Sequence, residues 1–187
     1  MRLFAAVVPP PGALAELAAA LPPQPAPELR LVPEHQRHLT VAFYASVPDG
    51  TLDVLTERLR RACARTAPMS LRLYGFGTFP ANASRARVLW AGIDGDVAEL
   101  ARLSERAVAA AKRAGIEVEE RRYRPHLTVG RARHGAVDVH ETVADMKLDG
   151  SPWTAAELHL VKSTLGAEVR HEPLQRFAFG APVRDAR

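Results

Sequence analysis

Short runs of alternating or periodic apolar residues along the chain predict strands and helices in mixed order. The strand-like runs are Arg2–Val8, His38–Phe43, Met69–Gly77, Arg87–Ile93, Arg124–Arg131, Ala156–Ser163 and Arg170–Phe179. The helix-like runs are Gly12–Leu21, Asp49–Arg65, Asp96–Ala114 and Val137–Met146. Prolines between residues 22 and 35 predict a loop. Because strands and helices do not alternate strictly, the pattern predicts an α+β fold with largely antiparallel sheets.

One tetrapeptide occurs twice, at positions separated by nearly half the chain. His38-Leu39-Thr40-Val41 recurs as His126-Leu127-Thr128-Val129. A single short motif of this kind is more often a polar pair at a strand edge than a functional site. Two copies in a chain with seven histidines have a low probability of arising by chance. An internal duplication is therefore the better explanation.

Each copy, taken as a strand, places a histidine and a threonine on one face. Side chains two residues apart on a strand point the same way, with Cα atoms about 6.6–6.8 Å apart, so an imidazole and a hydroxyl can converge on a phosphate. Two such pairs across one cleft suit in-line displacement at phosphorus, which needs a base beside the attacking oxygen and an acid beside the leaving oxygen. Histidine can fill either role near neutral pH, and this chemistry requires no metal.

Composition and charge refine this picture without changing it. The length of 187 residues suits a single domain over residues 1–187. The single cysteine, Cys63, excludes an internal disulfide and a cysteine-built zinc site, and we expect no cofactor. No apolar run approaches the ~20 residues of a membrane-spanning helix, so we expect a cytoplasmic monomer with no membrane partner. The net charge is +4, and all but three of the 25 basic residues are arginine. Arginine suits contact with phosphate, although codon bias is an alternative explanation for the high arginine content.

The paired motifs resemble the signature of the two-histidine phosphoesterase superfamily. Within it, the chain is similar to the bacterial and archaeal RNA 2′,3′-cyclic phosphodiesterases, historically called 2′-5′ RNA ligases. Further similar segments are Met1–Ala6, Gly75–Pro80, Arg87–Trp90, Pro125–Arg131 and Leu160–Ser163 with Gly166. The resemblance implies two similar lobes of antiparallel sheet plus helices, related by a pseudo-two-fold axis around a central cleft. It also implies hydrolysis of an RNA 2′,3′-cyclic phosphate to a 2′-phosphate.

The same resemblance implies roles for individual residues. His38 would be the general acid that protonates the departing O3′, and His126 the general base that activates water, although the two exchange roles in the reverse, ligation direction. Thr40 and Thr128 would hold the phosphate. His171 stands where the family often carries a tyrosine, and we expect from it only a peripheral contact without a catalytic role.

Residues beside the motifs are further candidates for phosphate and RNA contact. Arg131 lies five residues after His126, an offset that leaves it off the histidine face of an ideal strand, yet it can reach the phosphate from the strand end. Phe43 and Tyr44 would offer a surface on which a base can stack, although Phe43 is expected in the core. The remaining candidates, each with a surface or structural alternative, are Arg37, Arg121, Arg122, Tyr123 and Arg124.

Three functions fit these residues. The first is metal-independent hydrolysis of RNA 2′,3′-cyclic phosphate ends. The second keeps the same site for 2′-5′ RNA ligation or for a small cyclic nucleotide as substrate. The third is a non-catalytic module that binds RNA ends. The presence of both histidines and both threonines favours an enzyme over the binding module.

Overall fold

The computed structural model describes residues 1–119, 122–166 and 169–180, which form an α+β fold around one antiparallel sheet. The strands in this described part are β1 (Leu3–Val7), β2 (Leu29–Leu31), β3 (Leu39–Tyr44), β4 (Met69–Phe79), β5 (Val88–Gly95), β6 (His126–Ala132), β7 (Trp153–Ala155), β8 (Glu157–Thr164) and β9 (Arg170–Ala178). The α-helices are α1 (Pro11–Ala20), α2 (Leu52–Ala64), α3 (Val97–Arg113) and α4 (His140–Asp145), with short 3₁₀ helices at Glu34–Gln36 and Ala83–Arg85. None of these helices is both long and apolar enough to cross a membrane.

The two strands that carry the repeated tetrapeptide, β3 and β6, are neighbours at the centre of the sheet. Outward from β3 follow β1, β8 and β9, and outward from β6 follow β5, β4 and β7; β2 pairs separately with β6. Each half therefore arranges four strands from the centre to an edge, and the pairs are antiparallel throughout. This order confirms the predicted α+β fold with two similar lobes related by an approximate two-fold axis. The single domain over residues 1–187 stays a prediction.

The helices bury one face of the sheet. The helix predicted at Asp49–Arg65 is present as α2, and its Leu55, Leu59 and Cys63 are fully buried in the main hydrophobic core. Leu39 and Leu127, the motif leucines, are fully buried in the same core. Burying a side chain of this size is worth about 1.5–3 kcal/mol. Because successive strand residues point to opposite faces, anchoring the leucines under the helices turns the motif histidines and threonines to the other face.

Two short strands are missing from the sequence prediction. Residues 22–35, which are predicted as a loop, contain β2. Leu31 of β2 pairs with Gly130, and the N–H of the next residue, Val32, donates to the Val129 carbonyl at 2.8 Å. The strand β7 pairs with the start of β4. Both segments obtain their hydrogen bonds from strands remote in sequence, so the local pattern of apolar residues does not reveal them.

Candidate active site

The four motif side chains lie together at the centre of the sheet. Leu39 of β3 pairs with Leu127 of β6 in an antiparallel ladder, so each motif histidine lies opposite the motif threonine of the other strand. Directly opposite side chains in such a pair have Cβ atoms about 4.5–5.5 Å apart. The result is a two-by-two square with a histidine at each end of one diagonal and a threonine at each end of the other. The members of this square are His38, Thr40, His126 and Thr128.

A β-bulge lies at the last residue of the motif in the first copy. Val41 is an extra residue on β3, between the residues that pair with Ala5 and Ala6. An extra residue reverses the alternation of side chains beyond it. Phe43 therefore lies on the histidine face with 37% of its surface exposed, and the prediction that it belongs to the core is wrong.

The second copy has its bulge at the equivalent position. Val129 is an extra residue on β6, between the residues that pair with Leu89 and Trp90. Beyond it Arg131 turns onto the histidine face, which explains how a residue five positions after His126 reaches the site. The positive charge of Arg131 contributes to lowering the pKa of both motif histidines. Arg131 and Phe43 thus occupy equivalent positions in the two halves.

The two imidazoles are held in the same way. Nδ1 of His38 donates to the carbonyl of Gln36 at 2.7 Å, and Nδ1 of His126 donates to the carbonyl of Arg124 at 2.7 Å. A carbonyl only accepts, so the hydrogen must be on Nδ1 in both rings. Within the described residues neither Nε2 has a protein partner. Both rings therefore present Nε2 to a ligand, as a base when neutral and as an acid when protonated.

Burial sets the charge state of the two rings. Loss of hydration lowers the pKa of His38 to about 4; the hydrogen bond to Gln36 acts in the opposite direction, and the charges of His171, Arg131 and His126 lower it further. The pKa of His126 is also lowered, first by loss of hydration and then by Arg131. Burial therefore favours the neutral form of both rings in the unliganded protein. An anion bound between them would raise both pKa values, because it favours the protonated forms.

An aromatic ring packs against each imidazole. Phe4 stacks on His38 with ring centroids 4.4 Å apart and planes inclined by 16°. Phe79 meets His126 edge to face, with centroids 4.9 Å apart. Phe4 is buried in a small cluster with Val161. The contacts are apolar and restrict both rings, which favours a fixed position for each Nε2.

Two of the predicted RNA contacts are corrected by burial. Tyr44 is fully buried and its hydroxyl donates to the Ala107 carbonyl of α3, so the predicted stacking of a base on Tyr44 is wrong. Arg37 is only 9% exposed and its Nε donates to the Val32 carbonyl, which gives it a structural role in place of the predicted contact. The bulge explains Tyr44, because it exchanges the faces that Phe43 and Tyr44 would otherwise occupy.

The residues before the second motif divide into two groups. Tyr123 packs against the core and its hydroxyl is buried, which favours a structural role over the predicted RNA contact. Arg122 and Arg124 are exposed, and their contact with RNA stays a prediction. Arg121 lies outside the described residues.

His171 belongs to this site although the sequence interpretation gave it only a peripheral contact. Its ring centroid lies 5.4 Å from that of His38 and 5.0 Å from that of Phe4, edge-on to both. In a flat sheet β9 would lie three strand spacings from β3, about 14 Å away. The contact therefore depends on the curl of the sheet, which no local pattern encodes. Across the part of the chain that the structure describes, no group of three His, Cys, Asp or Glu side chains has metal-binding spacing.

Comparisons with known proteins found a matching family model, related sequences and a similar crystal structure. Residues 9–167 match the family model described as the 2′-5′ RNA ligase superfamily. The chain is 28% identical over 153 residues to the RNA 2′,3′-cyclic phosphodiesterase of Geobacillus stearothermophilus, covering 81% of this chain but only 48%, about half, of that relative. It is 30% identical over 170 residues to the RNA 2′,3′-cyclic phosphodiesterase of Thermus thermophilus, covering 88% of this chain and 83% of that protein. The crystal structure of TT0787, also from Thermus thermophilus, is similar with a TM-score of 0.83 and 28% identity, covering 97% of this chain and 100% of that one.

Proposed function

Since the chain belongs to the 2′-5′ RNA ligase superfamily, we propose that it hydrolyses 2′,3′-cyclic phosphates at RNA ends to 2′-phosphates. The observation that carries this proposal is the square of two histidines and two threonines, in which both Nε2 atoms are free of protein partners among the described residues. The two curated relatives described above bear the name of this activity. Together these points favour an enzyme over a module that only binds RNA ends.

The histidine diagonal of the square supplies a base and an acid on opposite sides of one phosphorus. A water oxygen bonds to phosphorus while Nε2 of the base takes its proton. The bond from phosphorus to O3′ breaks, and O3′ takes a proton from Nε2 of the acid. The family resemblance assigns the acid to His38 and the base to His126. Turnover leaves the base protonated and the acid neutral, and proton exchange with solvent restores both.

The other groups of the histidine face stabilise the charge that develops on phosphorus. The hydroxyls of Thr40 and Thr128, on the second diagonal, can donate to the non-bridging oxygens. Arg131 adds a positive charge and a planar guanidinium that suits phosphate oxygens. Every donor in this scheme is a protein side chain, so no step of the proposed mechanism is routed through a metal.

Hydrolysis of adenosine 2′,3′-cyclic phosphate in excess EDTA tests this proposal. We expect adenosine 2′-phosphate as the product, identified by chromatography against both phosphate isomers. Loss of activity in EDTA would contradict the metal-independent scheme. Formation of the 3′-phosphate would contradict the assignment of O3′ as leaving group. Tight, salt-dependent RNA binding with no product over hours would favour the binding module instead.

Phe43 is positioned to bind the base of the terminal nucleotide. It is exposed on the histidine face, and the guanidinium of Arg2 lies over its ring at 4.5 Å from the centroid. Stacking a base on an aromatic side chain is worth about 1–3 kcal/mol. Phe43 and Arg2 therefore form a flat surface on which a base can stack. On β3 this surface is separated from the phosphate-binding Thr40 by the bulge at Val41.

Replacing Phe43 by alanine should weaken binding of an RNA end by about 1–3 kcal/mol, measured as Kd for an oligonucleotide with a 2′-phosphate. Phe43→Tyr should keep most of the affinity, because it keeps the ring. The matched control is Tyr74→Ala on β4, which removes another exposed ring under an arginine, Arg72, at 4.9 Å. Equal losses in Phe43→Ala and Tyr74→Ala would contradict the proposed platform.

The square also supports 2′-5′ ligation as a second activity, because both of its histidines expose the same nitrogen to the phosphorus. An RNA 5′-hydroxyl would then replace water as the nucleophile, while the bond to O3′ breaks as before. Incubating an RNA that ends in a cyclic phosphate with an RNA that carries a 5′-hydroxyl, followed by mass spectrometry, distinguishes the joined product from the hydrolysed one. A panel of small cyclic nucleotides in the same assay covers the remaining alternative substrate.

A further inference from the structure

A third imidazole borders the square on its outer side. His171 lies edge-on to His38 and Phe4, and in the described residues neither of its ring nitrogens has a hydrogen-bond partner. The strand order places β9 on the β3 side of the sheet, away from β6 and His126. The charge of His171 contributes to the lowered pKa of His38, which agrees with this position. His171 is therefore a free donor just beyond the phosphate position.

A fourth imidazole, that of His35, lies on the 3₁₀ helix that precedes β3, and its Nε2 is 3.4 Å from the side-chain nitrogen of Gln36. His35 is exposed, and its charge adds to the loss of hydration in lowering the pKa of His171. The side chain of Gln36 donates to the Val169 carbonyl at 3.1 Å, which ties this short helix to the segment that carries His171. No carboxylate contributes to the pKa of His171. Among the described residues, neither of these two imidazoles has a salt bridge to a carboxylate, and each lies within electrostatic reach of another imidazole.

Such a pair suits an anion, because a protonated imidazole donates a charge-assisted hydrogen bond to phosphate oxygens. In the proposed function the cyclic phosphate lies in the square, and the His171 ring centroid is 5.4 Å from that of His38, so an anion at His171 would lie beside the cyclic phosphate on the outer side of His38. The phosphate on the 5′ oxygen of the terminal nucleotide has this relation to the cyclic phosphate. It is present at every RNA end of this kind and absent from a free nucleoside cyclic phosphate.

We propose that His171 and His35 form a second phosphate subsite, which binds the 5′-phosphate of the terminal nucleotide and selects RNA ends over unphosphorylated nucleoside cyclic phosphates. This inference deepens the proposed function and rests on it, because the square defines where the first phosphate lies. The subsite makes His171 a residue that determines specificity rather than one that takes part in bond breaking.

The test compares adenosine 2′,3′-cyclic phosphate with the same compound carrying a 5′-phosphate, at about pH 6. The pKa of the free His171 ring is lowered, and a bound anion favours its protonated form. The wild type should favour the 5′-phosphorylated substrate by at least about tenfold in kcat/KM. His171→Phe keeps a ring against Phe4 but removes both nitrogens, so the preference should fall to about one. His171→Arg should keep it, and so should His140→Phe, which changes an exposed histidine of α4. The ratio of the two substrates cancels any general effect of position 171 on His38.

Calorimetric binding of adenosine 2′,5′-bisphosphate and adenosine 2′-phosphate separates this inference from the proposed hydrolysis. Preference for the bisphosphate that depends on His171 supports the subsite even when neither substrate is hydrolysed, a result that would remove only the proposed activity. Hydrolysis of both substrates with equal efficiency, and equal binding of both products, would overturn the subsite and leave the activity standing. A preference retained in His171→Phe would overturn the role of His171. Loss of that preference in His35→Ala as well would support the pair.

Discussion

Alanine at position 38 or 126 should lower kcat for hydrolysis of adenosine 2′,3′-cyclic phosphate by about 10²–10⁴-fold. Each variant loses one of the two proton transfers at phosphorus, and both transfers serve one transition state. The double variant should therefore lose much less than the product of the two single effects. The measurement is kcat for the wild type, His38→Ala, His126→Ala and the double variant, all with EDTA present.

A substrate whose leaving group needs no proton then shows which of the two histidines is the general acid and which is the general base. In a 3′-deoxynucleoside 2′-(4-nitrophenyl phosphate), no neighbouring hydroxyl can attack phosphorus, so water is the nucleophile and nitrophenolate leaves in place of O3′. Nitrophenolate needs no proton, so loss of the acid should cost little, while loss of the base should cost as much as before. The assignment given above predicts recovery in His38→Ala and none in His126→Ala. The opposite pattern would exchange the two roles, and recovery in neither would contradict acid catalysis at this site.

The control for both experiments is His134→Ala, which removes an exposed histidine that lies beyond the end of β6. Its kcat should equal that of the wild type. Activity that is unchanged in His38→Ala and His126→Ala as well would contradict the catalytic role of the square. Circular dichroism of each variant checks that a loss of rate does not come from unfolding, because both histidines contact aromatic rings.

Replacing Arg131 by alanine should lower kcat/KM for the same substrate by about 10²–10³-fold, the cost of removing one preorganised donor from a developing negative charge. The bulge at Val129 is the structural reason, since it turns this guanidinium onto the histidine face. Arg131→Lys should recover part of the loss, because lysine keeps the charge but not the planar pair of donors.

The matched control for Arg131→Ala is Arg113→Ala, which removes an equal charge from the exposed end of α3. The two variants have the same net charge, so a general effect on attraction of RNA would lower both rates equally. A loss confined to Arg131→Ala supports direct contact with the phosphate. Wild-type kcat/KM in Arg131→Ala would contradict this contact and leave the guanidinium a surface role.

The arrangement of side chains at the centre of the sheet could be predicted from the sequence, because it follows from the alternation of residues within each strand. The repeated tetrapeptide alternates apolar and polar residues, and this alternation alone places Leu39 and Leu127 under the helices and the histidines on the other face. The bulge at the fourth residue of each tetrapeptide reverses this alternation for the residues that follow it. Alternation predicts Phe43 inside and Tyr44 outside, and the structure has the reverse. A bulge depends on how the neighbouring strand pairs, so a single strand does not reveal it.

The surroundings of His38 could not be predicted for a related reason. His171 reaches His38 only because β9, at the far edge of the sheet, curls back over β3. The strand β2 likewise exists because β6 offers an edge to a proline-rich segment. Both features depend on contacts between residues far apart in the sequence. Local patterns therefore predict the elements and the motif, and long-range pairing decides which side chains join the motif.

The equivalent positions after the two bulges have a consequence for the evolution of the molecule. Phe43 and Arg131 are related by the two-fold axis, yet one is an apolar ring and the other a cation. Two identical subunits meeting at the same axis would be forced to place the same residue at both positions. Fusion of the halves into one chain removes that constraint. Under the proposed roles, the half that carries Phe43 is then free to bind a nucleobase and the half that carries Arg131 to bind a phosphate. A scaffold with two-fold symmetry can in this way bind a substrate that has none.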